Sequence, residues 1–300
     1  MPETRATAII NPVAGRGRTL RWWPAVRERL HQAGWAVAEH VSERPGHATD
    51  LAAAARNRCD VVVAVGGDGT ANEVVNGLLE DGAAPVPVGV VPMGTANDFA
   101  TCLGIPAKVE EATRTLLAGQ RRRIDLGRVG DRYFINVAGV GFDATVAEWV
   151  NSRWKLFGGT VMYVVGIFRT LAVFNPVWMR LELDGAPLEG RVFMAAVGNN
   201  AAYGGGLRIC PHARPDDGWL DVVTIGDIHK TEVFALLPRI YSGGHLTHPK
   251  VATARARSVT VTTDPPQPVH ADGEPIGRTP ATFSLQAAAI EVLTPAVSRA

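Results

Sequence analysis

The stretch Val61-Val62-Val63-Ala64-Val65-Gly66-Gly67-Asp68-Gly69-Thr70 decides how this chain is read. Its first half is an unbroken Val/Ala run, the composition of a strand covered on both faces of a parallel sheet. Its second half is a glycine-rich turn that feeds a helix expected over residues 71–79. Glycines let the backbone adopt unusual dihedrals and let a bulky anion approach its N–H groups. The helix N-terminus behind them adds partial positive charge, so the arrangement suits phosphate. Thr70 is placed to cap that helix or to bond a phosphate oxygen. Asp68 repels a bare phosphate, and an acid there makes sense with Mg²⁺ lying between the two. A tight strand-to-helix turn capped by an acid has the same sequence, so this turn alone leaves both readings open.

Working outward, residues 7–10 form a short β-rich run ending in Asn11-Pro12. A helix is expected over residues 20–33, with Leu20, Trp23, Val26 and Leu30 on one face. Residues 35–41 read as a strand and 47–58 as an alanine-rich helix. Beyond the glycine turn, 86–91 is another buried strand, followed by helices over 97–103 and 109–118. This alternation predicts a Rossmann-like, doubly wound parallel sheet with helices on both sides, whose ligands bind beyond the carboxyl ends of the strands. Two more loops leave strands at that end. Pro92-Met93-Gly94-Thr95-Ala96-Asn97-Asp98-Phe99-Ala100 offers the Thr95 hydroxyl, with Asn97 or Asp98 as caps; by itself it also reads as a plain capped turn. Asn11-Pro12-Val13-Ala14-Gly15-Arg16-Gly17 lacks the spacing and lysine of a Walker A loop. It either covers phosphates, with Arg16 or Arg18 as charge partners, or is a flexible basic loop. Two glycine turns on neighbouring strands converge on one crevice, which favours a nucleotide.

The pattern changes near Arg121. Strands are expected over 124–129, 132–137, 177–183, 191–197, 219–225, 258–263 and 289–293, with hairpin turns at Asp184-Gly185 and Val129-Gly130-Asp131. Helical stretches interrupt at 144–172 and 231–241. The expectation is an α/β domain over residues 1–125 and a C-terminal antiparallel β-sandwich domain over 126–300, with the last residues packing back on the first domain.

Composition narrows the function. The 300 residues are 46% hydrophobic and 20% charged with a net charge of +1, so a packed core is expected and there is no basic field for nucleic acid. Cys59, Cys102 and Cys210 are far apart and form no C-x-x-C pair, which suggests neither a disulfide framework nor a zinc site. The N-terminus has no charged region followed by a long apolar stretch, so no secretory signal is expected. The apolar run 156–168 is too short to cross a bilayer and contains Gly158, Gly159 and Gly166. A cytoplasmic protein is the expectation.

Gly66 to Thr70, continued by Asn72, Glu73 and Asn76 and joined to the G-T-A-N-D-F-A run at 94–100, resembles the catalytic domain of the diacylglycerol kinase family. The likeness is to its bacterial soluble lipid kinases, which are related to sphingosine kinases and more distantly to NAD kinases. It continues through Ile124-Asp125-Leu126-Gly127, residues 136–142, Gly198-Asn199-Asn200, residues 215–221 and Asp272-Gly273-Glu274, in the family's order. The resemblance implies an ATP- and Mg²⁺-dependent lipid kinase. Its ATP site would be lined by Asn11, Pro12, Val13, Ala14, Gly15, Ser42, Gly66, Gly67, Asp68, Gly69, Thr70, Ala71, Asn72 and Thr95. Position 42 often carries threonine in relatives, and serine keeps the hydroxyl. The base would come from the D-G-E segment, as Asp272 or Glu274, with Asp68 as a further catalytic acid. A structural Mg²⁺ of some relatives would map to Asp217 with the carbonyls of Arg214 and Trp219; Arg214 replaces a small or apolar residue, and Asp216 is an extra acid. The acceptor implied is a lipid hydroxyl, diacylglycerol by default, met at the inner face of a membrane; homodimer formation is left open.

An acyl chain needs an apolar route. The segment from Trp154 through Leu156, Phe157, Val161, Met162, Tyr163, Val164, Ile167, Phe168 and Leu171 to Phe174, preceded by Arg153 and Lys155, either walls such a cleft and touches a membrane or is a core helix. Arg121-Arg122-Arg123 either meets anionic headgroups or is a solvated surface. Two other readings stand beside the lipid kinase: an NAD kinase-like enzyme, and a non-catalytic nucleotide- or lipid-binding protein.

Overall fold

The computed structural model describes residues 3–152 and 160–296. The chain divides into two compact units: one ends at Leu126 and resumes at Gln286, and the other runs Gly127–Leu285.

In the first unit β1 (Thr4–Ile10), β2 (Trp35–Val41), β3 (Val61–Gly66) and β4 (Val88–Pro92) form a parallel sheet in the order β4-β3-β1-β2. The end of β15 (Ala281–Thr294) adds a parallel partner beside β4 at Val292 and Val88. β3 and β4 are buried along their whole length, because helices cover both faces. On one face α1 (Arg18–Gln32) and α5 (Val109–Ala118) pack Trp23, Val26, Leu30 and Leu116 onto Ala8, Ile10, Val63 and Val65. On the other lie α2 (His47–Ala55) and α3 (Asp68–Leu78), where Gly77 lets the helices approach: a Cβ there would lie 2.7 Å from that of Ala52. α4 (Asp98–Cys102) is a single short turn.

The buried stripe of α1 is Thr19, Trp23, Val26 and Leu30; Leu20 is 56% exposed. Thr19, one step round the helix, holds the inward position because its hydroxyl donates to the Ala14 carbonyl at 3.3 Å. The helix after the glycine turn begins at Asp68 rather than at residue 71, so the turn is itself the first helical turn.

The second unit is antiparallel. β7 (Val137–Gly141), β9 (Ala186–Gly198), β8 (Val177–Leu183), β12 (Ser258–Asp264) and the start of β15 pair in that order, extended beyond β7 by the hairpin β13 (Pro268–Ala271) and β14 (Glu274–Arg278). β10 (Leu220–Gly226) pairs with β9 and with the edge strand β11 (Val251–Ala256). β5 (Gln120–Val129) leads to β6 (Arg132–Phe134) through a tight turn. The period of two sorts residues between two cores. Ala138, Val197 and Val222 meet Phe134, Val259 and Phe283 inside the sandwich. Val137, Ala196 and Val223 face α6 (Phe142–Asn151), α7 (Thr160–Val173) and α8 (Lys230–Ile240). The stretch expected as one helix over 144–172 is thus α6 and α7; Trp154, Leu156 and Phe157, with Arg153 and Lys155, lie outside the described residues.

Candidate active site

Four loops leave the carboxyl ends of the parallel strands, and backbone hydrogen bonds set them side by side. Asn11 N–H donates to the Val65 carbonyl (3.0 Å), Met93 N–H to Gly66 (2.7 Å) and Ser42 N–H to Ile10 (2.9 Å). Glycines make the closeness feasible. A Cβ on Gly66 would lie 2.6 Å from the Thr70 Cβ, one on Gly94 2.5 Å from the Gly67 Cα, and one on Gly15 would overlap the Met93 carbonyl oxygen. Gly15 also has φ +58°, a conformation a side chain resists.

The polar side chains bind these loops together. Asn11 donates from Nδ2 to Thr70 Oγ1 at 3.0 Å. Thr70 is therefore buried inside α3 and is not its cap; the N-cap is Gly67, with no side-chain cap bond. Asn97, at φ +57°, accepts from Gly94 N–H at 2.8 Å and donates to the Gly94 carbonyl at 3.0 Å, locking that turn. Asn97 is the N-cap residue of α4, yet its side chain does not provide the cap bond. Asp68 does: its Oδ1 accepts from Phe99 N–H at 2.9 Å. Asn72 holds Asn76, and Glu73 accepts from Ala48 N–H at 3.1 Å at the start of α2. Ser42 donates to Ile10 O at 3.4 Å. Gly69 is different. It is exposed, its φ is not left-handed, and a Cβ there would meet nothing within 4 Å. Packing does not explain this glycine. It leaves the first turn of α3 open to solvent beside Gly67, with the exposed Thr95 on the neighbouring loop, whose Gly94 packs against Gly67. Pro12 and Ala14 are partly exposed, Val13 is exposed and Ala71 is buried.

In the second unit Asp272 and Gly273, at φ +49° and +82°, form the two-residue turn of the β13–β14 hairpin. The two acids of D-G-E have different surroundings. Asp272 accepts from the N–H groups of Ile135 (2.8 Å), Asn136 (2.9 Å) and Val137 (3.1 Å). Glu274 is exposed, and its Oε2 meets Arg132 Nη2 at 2.6 Å. The segment beneath Asp272 is itself anchored: the Asn136 carbonyl accepts from the backbone N–H groups of Asn199 and Asn200. Asn199 Nδ2 donates to the Ile135 carbonyl at 3.2 Å and Asn200 Nδ2 to Asn136 Oδ1 at 3.1 Å. A Cβ on Gly198 would lie 2.6 Å from that of Cys210, and together these contacts account for the G-N-N motif.

Sequence reasoning missed three residues here. His270 is buried, with Nε2 at 2.9 Å from Asp143 Oδ2. Gly273 N–H donates to its Nδ1 at 3.2 Å, so the ring proton lies on Nε2 and points at Asp143. Gly139 makes room for this pair: a Cβ there would lie 2.8 Å from His270 Nε2. Asn151 donates to the Gly273 carbonyl at 2.9 Å, pinning the turn from the other side. The partners His270 and Asp143 are 127 residues apart, and only the alternation of Val269-His270-Ala271 in a strand hints at a buried histidine. Asp143 also lines an apolar cavity of about 50 Å³ with Phe142, Ile167, Met194 and Leu237.

The described part of α7 combines both expected roles. Leu171, and Phe174 just past the helix end, are core, whereas Phe168 and Val164 are 51% and 45% exposed. Phe168 stacks on Phe234 of α8 with centroids 5.7 Å apart, and Phe234 is 48% exposed. Arg121 and Arg123 are paired with Glu291 at 3.5 and 3.1 Å.

For Mg²⁺ the two implied positions differ. Asp68 stands partly exposed at the open first turn of α3, and an acid there fits a cation that arrives with nucleotide phosphates. Among the described residues no three His, Cys, Asp or Glu side chains converge. Asp217 fits less well. Its Oδ1 accepts from Trp219 N–H at 3.1 Å, and its Oδ2 is paired with the Arg255 guanidinium. Nearby, burial pushes the Asp221 carboxyl up while Arg255 pulls it down, and burial pushes the Cys210 thiol up.

Comparison with known proteins agrees with this architecture. Residues 5–129 match the family model described as the diacylglycerol kinase catalytic domain, and residues 136–294 match the YegS C-terminal NAD kinase beta sandwich-like domain. The chain is 32% identical over 292 residues to the diacylglycerol kinase of Staphylococcus carnosus (strain TM300), covering 97% of this chain and 95% of that protein. It is 33% identical over 291 residues to that of Staphylococcus haemolyticus (strain JCSC1435), covering 97% and 88%. Among solved structures, a candidate diacylglycerol kinase of Bacillus anthracis str. Sterne superposes with a TM-score of 0.81 at 26% identity, over 99% of each chain. The fold, the order of motifs and these relatives agree, and the chain belongs to the diacylglycerol kinase catalytic-domain family of kinases.

Proposed function

We propose that this chain transfers the γ-phosphate of ATP to a lipid hydroxyl, with diacylglycerol as acceptor and phosphatidic acid as product, and that it works at the inner face of a membrane. The observation that carries the proposal is the open first turn of α3 at Gly69, framed by Asn11, Thr70 and Thr95 on adjoining strand-end loops. In this reading the first unit binds the nucleotide and the second binds the lipid. The N–H groups at Gly67 to Thr70 bind the phosphates, the Ala71 N–H being taken by the Gly67 carbonyl, and Asp68 would hold Mg²⁺. The chemistry that Mg²⁺ would supply there is neutralisation of phosphate charge.

Glu274 is the proposed base. A carboxylate with a pKa of about 4 does not ionise a resting alcohol, yet phosphoryl transfer passes through a loose transition state and the proton leaves late. Glu274 therefore orients the hydroxyl and accepts that late proton, with Arg132 holding its carboxylate. Asp272, engaged by the N–H groups of Ile135, Asn136 and Val137, is assigned to fixing the turn. The apolar cavity beside Asp143 is too small as it stands for an acyl chain, since ligand pockets span roughly 300–1,000 Å³; a lipid would have to part α7 from α8. The exposed Phe168–Phe234 pair supports contact with a membrane surface.

The test is incubation with γ-labelled ATP and Mg²⁺ against diacylglycerol, a sphingoid base and phosphatidylglycerol in mixed micelles, with NAD as a parallel acceptor. Label in diacylglycerol is expected. Label in NAD alone would overturn the lipid assignment, and no transfer to any acceptor would favour a binding protein.

A further inference from the structure

The turn at residues 215–219 is where the family resemblance implies a structural divalent cation, with Asp217 as its acid. We infer that in this chain the guanidinium of Arg255 stands in place of that cation, cross-linking Asp217 and Asp221 so that the turn closes without a metal. Backbone register places it there. β10 and β11 are antiparallel, and Asp221 lies directly opposite Arg255. From that position Nε donates to Asp221 Oδ2 at 3.3 Å, and Nη2 pairs with Asp217 Oδ2. The other Asp217 oxygen already accepts from Trp219 N–H, so both carry a donor. Two positions on, Arg257 donates to the Gly218 carbonyl at 3.3 Å and lies 4.7 Å over the Trp219 ring. Arg255 on β11 and Arg257 just beyond its end thus reach the acids, the carbonyl and the aromatic ring of a single turn.

Charge, not access, decides what sits here. An open cavity of about 470 Å³ reaches Asp217, Asp221 and Arg255, so an ion in solution has a path. A divalent ion bound to Asp217 would sit against a guanidinium that holds its proton at any pH the protein meets. A planar guanidinium also bridges two carboxylates in fixed directions, as a metal would. The consequence is a divided metal requirement: Mg²⁺ enters with the nucleotide, and the second unit keeps its structure without it. This holds whichever acceptor the enzyme uses.

The test is made on full-length protein, stripped of metal and free of nucleotide, by thermal unfolding and by Mn²⁺ binding followed by electron paramagnetic resonance. Wild type is expected to unfold at the same temperature in EDTA and in millimolar MgCl₂. Arg255→Ala should unfold several degrees lower in EDTA, recover part of the loss with Mg²⁺ or Mn²⁺, and bind one Mn²⁺ that Asp217→Asn removes. Stoichiometric Mn²⁺ on wild type, lost in the single variant Asp217→Asn, would overturn the inference even if Arg255→Ala does not fold. So would an Arg255→Ala protein whose lost stability no divalent ion restores.

Discussion

Gly66 and Gly69 share one turn, yet a methyl group would meet different surroundings at each. At Gly66 it would enter the space of Thr70, whose hydroxyl holds Asn11. Overpacking of that kind costs about 1–3 kcal/mol. Gly66→Ala should therefore lower Tm and activity together. At Gly69 the methyl would point into open space in the first turn of a helix, where alanine is tolerated better than glycine. Gly69→Ala should keep or slightly raise Tm while raising the KM for ATP about tenfold, equivalent to ~1.4 kcal/mol of lost phosphate binding. Thermal unfolding and steady-state kinetics on the two variants check this; an unchanged KM in Gly69→Ala would remove phosphate from that turn. The glycines were legible in the sequence, but their separate roles were not, because clash and open space depend on how neighbouring strands are staggered.

At the scale of elements, α7 and α8 present an apolar ridge. Phe168 and Phe234 stack on one another at the surface, next to Val164 and Val165, which are each 45% exposed. Burying a phenylalanine is worth about 1.5–3 kcal/mol, so the double variant Phe168→Ser, Phe234→Ser should lower vesicle partitioning by about tenfold or more. Turnover of a water-soluble short-chain acceptor should be unchanged. Cosedimentation with anionic vesicles reads the first effect; equal partitioning of the variant and wild type would deny the ridge a membrane role. The parallel strands were plain in the sequence because burial on both faces leaves continuous Val/Ala runs such as β3. β11 was not, since Val-Ala-Thr-Ala-Arg-Ala has small side chains and lies at an edge with little to bury. The strands of the β13–β14 hairpin are missing from those expected, because they are short and β14 is mostly exposed. Missing β11 also hid Arg255, whose meaning depends on register with Asp221.

For the whole molecule, the two kinds of layer were readable from the switch of hydrophobic pattern near Arg121, and their motifs mark where chemistry belongs. What the sequence left open was the division of labour between Asp272 and Glu274. Both stand in one turn, and only the fold reveals that Asp272 is committed to the backbone of residues 135–137 while Glu274 stands exposed beside Arg132. Asp272→Asn should cost about 1.5–3 kcal/mol of stability through the charged hydrogen bonds it loses. Glu274→Gln should leave stability intact. The most direct test of the account is the rate of phosphatidic acid formation from ATP, Mg²⁺ and diacylglycerol in mixed micelles, measured for wild type and Glu274→Gln side by side. The account predicts transfer by wild type and a kcat lower by roughly 10²–10⁴-fold in the variant, with Tm unchanged. No lipid product from wild type, or a near-normal rate from Glu274→Gln, would contradict it.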